Sequence, residues 1–251
     1  MTMTKSGEPP TPAADDRSPG DEAGRDAAAG DVVVAIDGPA GSGKTTVARA
    51  VAERTGLRHL DTGSTYRAMT LALVRRGTPL DDPEAVGEAA ASVRIGLELD
   101  PRPAGGSRVL LDGEPLEAAQ LRSPEVNAAV SAVSAVPAVR RQLVALQRSA
   151  MADGGVVAEG RDIGTVVCPR AQVKVFLTAS PDERARRRGV DGGGESAAQV
   201  ARRDRLDSSR ATSPTRASDD AVILDSTHRS VGDVVDEIVG LVEAARAGRA
   251  R

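Results

Sequence analysis

Apolar positions along this chain fall into short continuous runs separated by longer stretches with helical spacing. The runs at 32–36, 156–158, 173–178 and 222–224 are rich in Val, Ile and Leu and have the length of buried strands, with a weaker one at 58–60. Between them the period changes. Val47, Ala48 and Val51 repeat up to Gly56, and Tyr66 to Arg76 is stopped by Gly77 with Pro79 beyond. Pro137 opens a segment carrying Leu143, Leu146 and Met151 on one side, and Ser180-Pro181-Asp182-Glu183 reads as a capping box. Ser230-Val231-Gly232-Asp233 starts a last helix with an apolar stripe of Val234, Val235, Ile238, Val239, Leu241 and Val242. Strand runs alternating with helices predict an α/β fold: a parallel sheet with helices on both faces and ligands at the carboxyl ends of its strands.

One stretch breaks the alternation. Val93, Ile95, Leu97 and Leu99 repeat at period two, a Pro and Gly loop follows, and Val109 to Leu111 run into Asp112-Gly113, a hairpin turn. A small antiparallel insertion is expected over about 92–118. Residues 1–30 hold Pro, Ala, Gly, Asp and Glu with almost no large apolar side chains, which predicts a disordered tail ahead of a domain at 31–251.

The first strand run ends in Asp37 and breaks into Gly38-Pro39-Ala40-Gly41-Ser42-Gly43-Lys44-Thr45-Thr46. Glycines there let backbone N–H groups turn inward as an anion nest, and the helix that follows adds its positive end. Lysine is otherwise scarce, with only Lys5 and Lys174 besides Lys44. The spacing is that of a phosphate-binding loop (P-loop), in which Lys44 supplies a mobile charge for the β and γ phosphates and the Thr45 hydroxyl suits Mg²⁺.

Composition narrows the classes. A net charge of -3 over 251 residues and two aromatic side chains, Tyr66 and Phe176, argue against nucleic acid as a partner. One cysteine, Cys168, excludes a disulfide framework or a thiolate zinc site and reads as a small buried hydrophobe. No apolar run approaches bilayer length and no signal-peptide core stands at the start, so a cytoplasmic protein with no membrane partner is expected, and a monomer. A GTPase would carry an Asn-Lys-x-Asp segment for guanine, which the chain lacks; a motor would need a second large domain.

His59-Leu60-Asp61-Thr62-Gly63-Ser64-Thr65-Tyr66-Arg67 leaves a short strand and opens a helix. With Glu159-Gly160-Arg161-Asp162-Ile163-Gly164-Thr165 after another strand, the stretch 131–148, the spacing Arg203…Asp207…Arg210, and 224–230, this chain resembles the bacterial cytidylate kinases, which are nucleoside monophosphate kinases. The resemblance spans about 32–245. It implies a P-loop kinase fold with a five-stranded parallel sheet, a small antiparallel insertion and a helical lid over about 181–218. Two departures bear on lid geometry and nucleotide preference. The lid is short and contains Gly192-Gly193-Gly194, and Ser64 and Thr65 replace Ala and a larger apolar residue.

The chemistry agrees with that resemblance. An alcohol acceptor generally needs a carboxylate to take its proton, whereas a phosphate acceptor is already an anion near neutral pH and needs positive charge. Arg67, Arg140, Arg161, Arg203 and Arg210 lie in segments that such a fold brings to the strand ends. Two guanidinium groups roughly 6 Å apart repel by about 3 kcal/mol at an effective dielectric of 20, so a cluster of them is expected to hold anions.

By resemblance the substrates are ATP with Mg²⁺ and CMP or dCMP. Lys44, Arg161 and Arg210 are implied as catalytic, with Arg67 and Arg161 on the acceptor phosphate. Ser131, Arg140 and Asp162 would recognise cytosine with help from Thr62, and Arg203 and Asp207 would bind the ribose. Tyr66 is either a core residue or a ligand contact; Arg140 is either a base contact or a solvated helix position. Asp162 is either a base contact, a cap or a partner of Arg161, and Glu159 either orients Mg²⁺ through water or pairs with an arginine. His59 and His228 have no partners at ligand spacing and receive no role. The arginine-rich run 183–189 reads as a solvated helix face at the start of the lid. The rival readings are another small-acceptor kinase of this fold, UMP/CMP or shikimate-type, and a nucleotide switch that binds a partner protein through the insertion.

Overall fold

The computed structural model describes residues 31–102, 105–190, 207 and 215–249. The tail expected at 1–30 lies outside them, as does most of the expected lid, including Gly192-Gly193-Gly194, Arg203 and Arg210.

Five parallel strands form the main sheet in the order β2-β6-β1-β7-β8: β1 (Val33–Asp37), β2 (Arg58–Asp61), β6 (Val156–Gly160), β7 (Val173–Thr178) and β8 (Val222–Asp225). The expected strands are all present, and four of them run past the end of their apolar run, to Asp37, Asp61, Gly160 and Asp225. Of these last residues Asp61 and Gly160 line the site cavity, Asp37 accepts backbone N–H groups of the turn after β6, and Asp225 meets Thr227. β1 is central and buried throughout. Val34 and Ile36 pack with Val47 and Val51 of α1 (Lys44–Thr55) and with Ile238 and Val242 of the last helix, α8 (Val231–Arg249). Val33 and Ala35 face the other way, onto Leu60, Val144 and Ile163. Alternation along one strand thus seats helices on both faces.

The second three-stranded sheet is the expected insertion: β3 (Ile95–Leu99), β4 (Ser107–Leu111) and β5 (Glu114–Pro115), all antiparallel. Asp112 and Gly113 take φ of 52° and 92°, the left-handed pair that a two-residue hairpin turn requires. The Ser107 hydroxyl accepts from the Asp61 N–H at 3.2 Å and ties this sheet to the end of β2.

Several boundaries differ from the sequence expectation. α2 (Thr62–Arg75) starts at Thr62, a full turn before Tyr66. Thr62-Gly63-Ser64-Thr65 looks like a turn, but Ser64 and Thr65 donate their hydroxyls to the carbonyls of Asp61 (2.5 Å) and Thr62 (2.7 Å) and sustain the helix. Helices α3 (Pro83–Ala90), α4 (Ala118–Leu121) and α5 (Pro124–Ala135) were not anticipated; Asp82 and Ser123 cap α3 and α5, each followed by Pro. α5 meets α6 (Pro137–Ala150) at 94° because Pro137 holds Val136 extended. At the start of α7 (Pro181–Val190) only half of the capping box forms. The Glu183 N–H donates to Ser180 Oγ at 3.3 Å, but the Ser180 N–H goes to Thr227 Oγ1 and the Glu183 carboxylate to Arg186 and Arg187. Among the described residues no single helix is long and apolar enough to cross a membrane.

Asp37 joins two parts of the fold that carry the site. Its carboxylate accepts the N–H of Ile163 at 2.8 Å and of Gly164 at 2.7 Å, which open a π turn (Ile163–Val167) after β6. Burial pushes this carboxyl up to about 6, against the pull of the two N–H groups.

Two outcomes follow from this packing. The folded protein takes up the Asp37 proton before the unfolded chain does, so this group's stabilising contribution is complete below pH about 3.8 and is lost as pH rises through about 6. Denaturant unfolding of the parent and of Asp37→Asn from pH 7 to pH 4 should therefore shift the gap in the parent's favour by up to about 3 kcal/mol. Within α6, Leu143→Ala should cost about 2–5 kcal/mol by leaving a cavity in a fully buried cluster. Gln147→Met, one turn on, should change stability by less than about 1 kcal/mol in the same melts. Gln147 donates to Thr65 Oγ1 at 2.9 Å, but its buried Oε1 has no partner among the described residues, so little is lost with the amide.

Candidate active site

The loop after β1 is shaped by its glycines. A Cβ on Gly38 would lie 2.0 Å from the Leu177 carbonyl oxygen, and Gly43, at φ 88°, is the residue from which α1 departs. Lys44 is the first residue of α1; its buried ammonium donates to the Pro39 carbonyl at 2.6 Å and to Ser42 Oγ at 3.4 Å. Ala40 is buried behind the loop, while Gly41, Ser42, Gly43, Thr45 and Thr46 line a cavity of about 770 Å³. Thr45 Oγ1 donates to Glu159 Oε2 at 2.9 Å, which joins the loop to the end of β6.

β2 and α2 supply the adjoining wall. Thr62 Oγ1 donates to the Glu159 carbonyl at 2.7 Å, fixing the start of α2 against β6. The Arg67 guanidinium donates to the Leu121 carbonyl at 3.0 Å and to Asn127 Oδ1 at 2.6 Å while lining the cavity. Arg122, exposed at the mouth, joins it there.

The turn after β6 presents Arg161 and Asp162 in opposite directions. Arg161 donates to the Gly38 carbonyl and to Asp207 Oδ2, both at 3.0 Å, so it bridges the phosphate loop and Asp207. Asp162 is not the partner of Arg161 but of Arg140. Arg140 and Asp162 form a buried ion pair, Arg140 also donates to the Ser134 carbonyl at 3.2 Å, and its guanidinium carbon lies 5.3 Å from the Tyr66 ring centroid. The alternatives of a solvated Arg140 and a capping Asp162 are thereby excluded. Among the described residues Glu159 likewise meets no arginine: Thr45 and His59 hold its two oxygens.

The structure thus gathers Lys44, Thr45, Thr46, Thr62, Tyr66, Arg67, Ser131, Arg140, Glu159, Arg161, Asp162 and Asp207 around one cavity. Gly38, Pro39 and Ala40 shape the loop without lining it, and Arg203 and Arg210 lie outside the described residues. Sequence reasoning missed Asp37, whose neighbours are backbone groups 126 positions away, and His59, given no role although its Nε2 is 3.1 Å from Glu159 Oε1. It also missed Asp61, a half-buried residue whose carboxyl is raised by desolvation and by the Glu159 charge. The arginine-rich run is not a uniform solvated face. Arg186 is 65% exposed, but Arg184 donates to the Ala40 carbonyl and Arg187 to the Ser42 carbonyl, both at 3.3 Å. Helical spacing could have separated these, since 184 and 187 share one face.

The donors near the loop suit a hard cation. Among the described residues no three His, Cys, Asp or Glu side chains converge as a metal cage. One hydroxyl and one carboxylate, Thr45 and Glu159, match Mg²⁺, which keeps waters and takes its remaining oxygens from nucleotide phosphates.

A family profile described as cytidylate kinase matches residues 34–244. The chain is 50% identical over 221 residues to the cytidylate kinase of Mycolicibacterium paratuberculosis, covering 84% of this chain and 95% of that one. It is 46% identical over 226 residues to the cytidylate kinase of Rhodococcus opacus, covering 86% and 96%. Among solved structures it is similar to the shikimate kinase from Acinetobacter baumannii at 14% identity and TM-score 0.41, covering 85% of this chain and 94% of that one. With the phosphate loop, the Arg161 bridge and the buried Arg140–Asp162 pair in place, the chain belongs to the cytidylate kinase family.

Proposed function

We propose that this protein transfers the γ-phosphoryl group of Mg-ATP to the phosphate of CMP or dCMP, giving ADP and CDP or dCDP. The observation that carries the choice of acceptor is the Arg140–Asp162 pair beside Tyr66. Asp162 gives one oxygen, Oδ2, to Arg140 and keeps Oδ1 without a partner among the described residues. A carboxylate oxygen accepts and cannot donate, so it suits the exocyclic amine of cytosine and rejects the carbonyl that uracil has there. Arg140 and Ser131 line the same cavity and can donate to the ring nitrogen and carbonyl of cytosine.

Transfer then requires charge control more than proton control. Two unit negative charges 4 Å apart repel by about 4 kcal/mol at an effective dielectric of 20, and acceptor and donor phosphates must come closer than that. Lys44 and the loop N–H groups face the donor phosphates, and Arg67 and Arg161 face the acceptor phosphate. The family resemblance adds Arg210 for the transferring group and Arg203 with Asp207 for the ribose hydroxyls. Thr45 and Glu159 would hold the magnesium, which would supply positive charge to offset that of the phosphates. Because the acceptor oxygen is already anionic near neutral pH, no carboxylate needs to take a proton. Asp162 and Asp207 are accordingly held by arginines, and Glu159 by Thr45 and His59.

ADP release measured with ATP and each nucleoside monophosphate in turn should appear with CMP and dCMP. Release with UMP or a hydroxyl acceptor such as shikimate instead, or at a rate indifferent to any acceptor, would overturn the assignment. Asp162→Ala should raise the KM for CMP by about 10-fold or more and leave that for ATP within about 2-fold; equal losses would remove Asp162 from base recognition. Lys44→Ala should lower kcat by about 100-fold or more with a small change in melting temperature, as expected for loss of a charge aimed at the transferring group. Unchanged turnover would take Lys44 out of the chemistry.

A further inference from the structure

Glu159 is gripped from two sides. Its Oε2 accepts from the Thr45 hydroxyl at 2.9 Å, and its Oε1 faces His59 Nε2 at 3.1 Å. The His59 and Glu159 side chains are each only 5% exposed, so water does little to hold either in place. The pairing follows from strand register. His59 stands opposite Val157 and Asp61 opposite Glu159 on adjacent parallel strands, so residues two apart bring His59, Asp61 and Glu159 onto one face. That face also carries a like-charge problem, because Asp61 and Glu159 are register partners on adjacent strands. A carboxylate beside another carboxylate, with a glutamate's three side-chain torsions, does not hold one orientation unaided. The donor that can face Oε1 is the imidazole N–H, and a carboxylate acceptor requires the tautomer with its proton on Nε2.

We infer that His59 is a positioning residue for phosphoryl transfer: by donating Nε2–H to Oε1 it fixes the Glu159 carboxylate so that Oε2 stays at the Thr45 hydroxyl, where the magnesium of the donor nucleotide is held. The inference rests on the reading of Thr45 and Glu159 as the magnesium end of a phosphoryl-transfer site, and not on which acceptor is used. It separates from a purely packing role for a buried histidine, because packing needs the ring volume and positioning needs the N–H. Partners of this kind, behind the groups that meet a metal, typically change metal affinity or activity by about 10- to 100-fold when removed.

The test compares His59→Phe, which keeps a ring and loses the donor, with His59→Gln, which keeps an N–H at similar reach. Mn²⁺ binding to the enzyme with ADP, followed by electron paramagnetic resonance, is read beside kcat, the KM for CMP and the melting temperature. His59→Phe should weaken Mn²⁺ binding and lower kcat by about 10-fold each with the KM for CMP within about 2-fold, and His59→Gln should restore most of both. Mn²⁺ binding by the Phe variant equal to the parent, or a Gln variant as impaired as Phe, would overturn the inference. If the Phe variant does not fold, His59→Leu, which is apolar and has no donor, provides the same contrast with Gln. In a Glu159→Gln background the His59→Phe change should cost no further Mn²⁺ affinity, and additive losses would show that His59 does not act through Glu159. The Mn²⁺ arm needs no acceptor, so a parent inactive with CMP would count against the proposed substrate and leave this readout intact.

Discussion

Asp37 accepting the N–H groups of Ile163 and Gly164 is the contact on which the site depends. The residue after Asp37 begins the phosphate loop, and the residue before Ile163 is Asp162, so one carboxylate ties the loop to the turn that carries Asp162. The loop is glycine-rich and the turn after β6 is a single π turn. Burial opposes the charge that makes both contacts, and this is why the carboxyl is raised while its partners pull it down. The central strand beneath, buried along its whole length and paired on both sides, makes such a clamp sustainable.

Around that clamp the charged groups are deployed in pairs. Asp207 meets Arg161, Asp162 meets Arg140, and Glu159 sits between Thr45 and His59. Buried ion pairs seldom add stability over apolar packing, so their retention in a protein with a Val, Leu, Ile and Ala core points to recognition. Each pair also leaves something over: a second oxygen on Asp162, and an arginine reaching to the Gly38 carbonyl. Those remainders are what the proposed nucleotide substrates would meet.

The same arrangement explains why the arginine-rich helix α7 divides into two faces. Arg184 and Arg187 lie against carbonyls of the phosphate loop, while Arg186 is held in solvent by Glu183. The Ala40 and Ser42 carbonyls of the loop are thus satisfied by these guanidinium groups.

Much was legible in the chain itself. Strand and helix positions follow from apolar periodicity, because the sheet buries both faces; the phosphate loop follows from three glycines and a lysine, because only that spacing turns N–H groups inward next to a helix start. The antiparallel insertion announced itself by its change of period and by Asp112-Gly113. The start of α2, the separate helix α5 and the short caps were hidden, since hydroxyl-rich or small residues read equally as turns until their hydrogen bonds are seen. Sequence alone determined which residue types would collect at the strand ends, and only the tertiary structure decided which of them pair. Arg140 with Asp162, Arg161 with Asp207 and His59 with Glu159 are separated by 22, 46 and 100 positions, and no local pattern encodes a contact that strand order and register create.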